Sequence, residues 1–80
     1  MSTEIQNKVI AIIADKSGVD ASKIKMTDEL GKDLGFDSLD GVELVMELEK
    51  EMKVSIPDEE AETFNTVQDV VKTVEKNMKG

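Results

Sequence analysis

The chain has 80 residues, 18 acids against 10 basic residues, a formal net charge of −8, and no Cys, His, Trp or Tyr. That length allows one small domain, which buries only about 60% of its unfolded surface. The inventory excludes disulfides, thiolate- or His-ligated zinc, and His-dependent acid/base or triad chemistry.

The acidity is a block. Residues 1–27 carry a net charge of +1, residues 28–62 a net of −10 and residues 63–80 a net of +1. Such a block repels nucleic acid and anionic membranes and attracts basic protein patches. Residues 1–13 lack a basic start followed by a long apolar core, and no segment reaches transmembrane length. The expectation is a cytoplasmic protein with no nucleic-acid partner and no membrane insertion.

The spacing of Ile5, Val9, Ile12 and Ile13 predicts a helix over 3–16, with Thr3 and Gln6 as a capping box and Ser17-Gly18 as its stop. Residues 17–37 read as a long connection. Its apolar residues Val19, Ile24, Met26, Leu30, Leu34 and Phe36 should pin it to the core, and 27–30 fit one helical turn. Gly31 and Gly35 mark turns that a side chain would obstruct.

A second helix is predicted over 38–52, and its wheel has three sectors. Leu44, Val45, Leu48 and Met52 form a core face; Asp40, Glu43, Glu47 and Glu51 form an acidic face. Leu39, Val42 and Met46 form a second apolar strip, which folding of an ordinary surface helix does not require. Leu39 is expected to pack, whereas Val42 and Met46 are expected to be at least partly exposed. Pro57 should open a short helix over 58–61, anchored by Ile56 and Phe64. The last helix is predicted over 66–78, with Thr66 as N-cap and a buried stripe of Val67, Val70, Val71, Val74 and Met78. Lys72, Lys76 and Lys79 lie toward its C-terminus, where cations complement the helix dipole. The fold expected is all-α: a four-helix bundle of three longer helices and one short helix, with a long loop between helices 1 and 2.

Several chemistries can be weighed against these positions. An EF-hand begun at Asp33 fails, because Gly35, Ser38 and Leu44 occupy its third, sixth and twelfth positions. Catalysis by Ser38 lacks a base, and no catalytic residue or metal site is expected. Ser38 instead opens a helix, where its hydroxyl either caps the helix or offers a site for an attached anion. Local physics leaves both readings open.

Asp37-Ser38-Leu39-Asp40 resembles the phosphopantetheine attachment motif of acyl carrier proteins. The resemblance continues through 42–46 and Glu49, resumes at Ile56-Pro57-Asp58-Glu59-Glu60-Ala61-Glu62 and Thr66-Val67-Gln68, and includes Asp33-Leu34-Gly35. It covers essentially the whole chain and is most like discrete bacterial fatty-acid carriers. It implies a single acyl-carrier domain over 1–80, monomeric and not an enzyme, with 4′-phosphopantetheine on Ser38 installed by a phosphopantetheinyl transferase. Acyl chains would hang from the arm as thioesters and pass between fatty-acid synthesis enzymes. Asp37, Asp40, Glu43, Glu49, Glu59 and Glu60 match positions that meet basic patches on those enzymes, and Val42 and Met46 match apolar positions of the same recognition surface. Leu44, Val45, Leu48, Ile56, Ala61, Phe64 and Val70 would line the space for the chain. Gly41, Phe36 and Lys50 depart from the family pattern; Gly41 is expected to widen the mouth of that space. A specialised carrier for polyketide or lipid A-type synthesis is the nearer alternative, and an acidic helical adaptor with no prosthetic group the more distant one.

Overall fold

The computed structural model describes residues 3–78. Four helices follow one another: α1 (Thr3–Ser17), α2 (Ser38–Met52), the single-turn α3 (Asp58–Ala61) and α4 (Val67–Asn77). Three are long and one is short, as the patterning predicts. A 3₁₀ turn at Ala21–Lys23 is an addition; Asp20 caps it by accepting the Ser22 N–H at 3.1 Å and the Ser22 hydroxyl at 3.0 Å.

α1 packs against both α2 and α4. The core they enclose is built from Val9 and Ile13 of α1, Leu44 and Leu48 of α2, and Val67, Val70, Val71 and Val74 of α4, all essentially removed from solvent. α1 ends as its sequence demands: Gly18 takes φ +76° and returns its N–H to the Ala14 carbonyl at 2.8 Å. Thr3, expected as the cap, already lies within α1 and so does not cap it. Met78, expected in the buried stripe, is exposed; it is the C-cap of α4, beyond the last helical residue. Lys79 lies outside the described residues.

The long connection is held in place. Ile24, Leu30 and Leu34 are buried, and Val19, Met26 and Phe36 pack against the core from its rim. Backbone bonds then tie the loop to the start of α4. The Leu30 N–H donates to the Asn65 carbonyl (2.9 Å), the Val67 N–H to Asp28 (3.0 Å) and the Gln68 N–H to Met26 (2.9 Å). The loop therefore satisfies orphan donors at the α4 N-terminus while α4 satisfies the loop. Gly35 adopts φ +74°, which a side chain would resist, whereas Gly31 does not need glycine: an added Cβ would meet only the Phe36 carbonyl oxygen, at 3.5 Å.

α2 ends on Lys53, a non-glycine residue at φ 55°, ψ 48°. The chain turns there toward Val54 and Ile56, both buried, so core burial holds the left-handed cap that the side chain disfavours.

Candidate functional site

The site is organised by the first turn of α2. Asp37, not Ser38, is the N-cap. Its carboxylate accepts the Asp40 N–H at 2.9 Å, and the Asp40 carboxylate accepts the Asp37 N–H at 3.2 Å. This reciprocal pair satisfies two backbone donors and fixes the angle at which the chain enters the helix. The alternative that Ser38 is the cap is thereby excluded. Asp37 takes the cap because it precedes the helical dihedrals, whereas Ser38 is the first residue within them.

Ser38 is consequently exposed, and among the described residues its hydroxyl makes no hydrogen bond. The N–H groups of the first helical turn have no partner further back in the helix. The Asp40 N–H is engaged by Asp37, and those of Ser38 and Leu39 have no hydrogen-bond partner among the described residues. An anion held on the Ser38 oxygen would sit at the positive end of a 15-residue helix, a placement worth about 0.3–1 kcal/mol at a surface.

Beside Ser38 lies an open cleft of about 880 Å³. Its walls come from Phe36, Gly41, Val42 and Val45 on one side and Ile56, Ala61 and Phe64 on the other. Glu49, Asp58, Glu62 and Asn65 add polar groups. Of the seven residues expected to line such a space, Val45, Ile56, Ala61 and Phe64 do so. Leu44, Leu48 and Val70 do not border this cleft and are fully buried in the bundle core. Helix periodicity identifies a residue as apolar-facing without saying whether another helix or a cleft stands opposite.

The exposed apolar strip of α2 is real and longer than expected. Val42 is 56% exposed and Met46 62%, and Leu39, expected to pack, is 65% exposed. Leu39 lies three and seven residues before Val42 and Met46 on α2 and so shares their exposed face.

The acids around this strip divide into two kinds. Glu43 and Glu59 are exposed, Glu43 with a long 3.7 Å contact to the Lys16 ammonium. Others hold the frame. One oxygen of Glu49 accepts the Ile56 N–H at 2.9 Å, fastening the loop after α2 to the helix itself. Glu60 accepts Lys76 Nζ at 3.0 Å and Asn77 Nδ2 at 2.9 Å, joining α3 to the end of α4. The Asn77 amide, and next the Lys76 ammonium, hold the Glu60 carboxyl below its ordinary value. Sequence reasoning missed both attachments, which span seven and about seventeen residues of sequence separation. Among the described residues no three acids gather into a metal-ligating group, and no helix is long and apolar enough to cross a membrane.

Known proteins share this arrangement. Residues 7–74 match the family described as the phosphopantetheine attachment site. Acyl carrier proteins of two strains of Porphyromonas gingivalis are each 46% identical over 77 residues, which covers 96% of this chain and 99% of theirs. The solved structure of a candidate acyl carrier protein from Mycobacterium tuberculosis superposes with a TM-score of 0.85 at 33% identity, over 90% of this chain and 96% of that one. The apo doublet acyl carrier protein of prodigiosin biosynthesis shares the fold, with a TM-score of 0.78 at 23% identity over 91% of this chain and 35% of that one. The chain belongs to the acyl carrier protein family, whose members hold a covalent 4′-phosphopantetheine group and are carriers rather than catalysts.

Proposed function

We infer that Ser38 is the residue that bears the 4′-phosphopantetheine, and that the chain shuttles acyl groups between fatty-acid synthesis enzymes as a cytoplasmic monomer. The observation that carries the attachment reading is the division of labour between Asp37 and Ser38. Asp37 caps α2, which leaves the Ser38 oxygen exposed and uncommitted at the helix N-terminus. The residues fit the group: the unbonded N–H groups of Ser38 and Leu39 would be available to a phosphodiester on the Ser38 oxygen, and no internal bond would have to break first. The group supplies the thiol, and hence the thioester chemistry, that this Cys-free chain lacks.

The chain's own residues do three things. The cap pair Asp37 and Asp40 fixes the attachment oxygen in position. The cleft bounded by Val45, Ile56, Ala61 and Phe64 offers apolar surface to an acyl chain, worth about 0.8 kcal/mol per buried methylene. Val42 and Met46, with Glu43 and Glu59 beside them, form the docking face, while Asp37, Asp40, Glu49 and Glu60 contribute charge to it from positions fixed by their own hydrogen bonds. A net of −10 over residues 28–62 steers basic partners to that face. Tethering then raises the effective concentration of the acyl group at each docked enzyme. Membership of the family removes the ground for an adaptor that carries no prosthetic group.

The test is intact-protein mass after incubation with coenzyme A and a broad-specificity phosphopantetheinyl transferase. Wild type gains one arm and Ser38→Ala gains none; an unchanged wild-type mass refutes the reading. Docking is tested separately: binding to a fatty-acid synthesis enzyme weakens as salt rises and on Glu43→Lys, and salt-independent binding contradicts the steering.

A further inference from the structure

Gly41 has no structural reason to be glycine. Its φ is not in the left-handed region, and a Cβ built on it meets no atom within 4 Å. A glycine inside a helix destabilises it relative to alanine, less so in a first turn. Neither backbone conformation nor close packing offsets that cost. The position is nonetheless a particular one. Gly41 is three residues after Ser38, on the same face of α2, and it lines the cleft between Ser38 and Val45. The same cleft is also lined from α3 by Ala61, itself small. The empty space at Gly41 therefore lies at the entrance beside the attachment oxygen.

We propose that Gly41 is a specificity-determining residue: the missing side chain widens the entrance so that the cleft accepts acyl groups thicker than a straight polymethylene chain, such as those bearing a ring. A β-branched side chain at 41 would occupy the open volume and narrow the passage between α2 and α3. A straight chain would still pass, while a ring would be turned out into solvent. The proposal rests on the reading that an acyl chain attached through Ser38 enters this cleft.

The experiment loads wild type, Gly41→Ala and Gly41→Val with two acyl-phosphopantetheine groups of equal carbon count, decanoyl and cyclohexylbutanoyl, each transferred from its coenzyme A thioester and verified by intact mass. The readout is the Tm gain over the unacylated, arm-bearing protein. Wild type should gain from both groups. Gly41→Val should keep the decanoyl gain and lose most of the cyclohexylbutanoyl gain, with Gly41→Ala between. Before loading, Gly41→Ala should melt no lower than wild type. Equal gains from both groups in wild type and Gly41→Val overturn the proposal while leaving the cleft reading intact. So does a destabilised unloaded Gly41→Ala, which would make the glycine structural. If wild type gains nothing from decanoyl, the cleft reading itself falls and the proposal falls with it.

Discussion

Asp37→Ala and Ser38→Ala, measured side by side in protein without its arm, test which of the two residues caps α2 and which is free. Asp37→Ala removes the acceptor of the 2.9 Å bond from the Asp40 N–H. Losing such a cap costs about 1 kcal/mol, within a range of roughly 0.5–2. The Asp37 N–H keeps its bond to the Asp40 carboxylate, so only one half of the pair is lost. For a domain of this size about 1 kcal/mol lowers Tm by roughly 4–8 °C. Asp37→Asn retains a capping oxygen and should recover most of that loss. Ser38→Ala deletes an exposed hydroxyl that bonds nothing among the described residues, so it should stay within about 0.5 kcal/mol of wild type. Thermal melts followed by circular dichroism give the comparison. If Ser38→Ala melts lower than Asp37→Ala, then Ser38 is the cap, its oxygen is committed to the fold, and the account of the site is wrong.

Three further outcomes follow from the same structure. Lys53→Gly should raise stability by up to about 1 kcal/mol, because glycine adopts φ 55° without a Cβ penalty; an unchanged or lower denaturation midpoint contradicts that. Glu60 has a folded-state pKa below its ordinary value, so its contribution to stability is present above the ordinary carboxylate range and is lost as pH falls through the lowered value. Melts of wild type and Glu60→Gln should accordingly converge at acid pH and diverge toward neutrality, and a constant difference at all pH values refutes the linkage. Finally, of the thirteen acids between residues 28 and 62 only Glu43 and Glu60 have a lysine within ion-pair distance among the described residues. Monovalent salt should therefore raise Tm by screening their repulsion, whereas a flat response would show the charges already neutralised.

Much of the fold was legible because its signals are local. The periodicity of apolar residues gave α2 its bounds at 38 and 52 and placed the valine stripe of α4 against the core. The pinning of the long loop could be anticipated from Ile24, Leu30 and Leu34, although its bonds to the start of α4 could not. The cap of α2 was not anticipated at Asp37: Ser38 could be read either as the cap, which Ser makes well, or as the attachment site. A usable signal was present in the acid three residues after Asp37, which makes the reciprocal pair possible. The reach of Glu49 to Ile56 and of Glu60 to Asn77 depends on how separate elements approach, and no local pattern encodes that. The same holds for the cleft: Val45 and Leu44 are neighbours on one wheel, yet one faces the opening and the other the bundle core.

The central claim concerns one oxygen atom among the chain's several hydroxyls, and peptide-level mass spectrometry of the transferase-treated wild-type protein addresses it directly. The account predicts that the whole 4′-phosphopantetheine increment maps to the fragment containing Ser38, and to Ser38 within it. An increment on Ser22, Ser55, Thr63 or any other hydroxyl would contradict it.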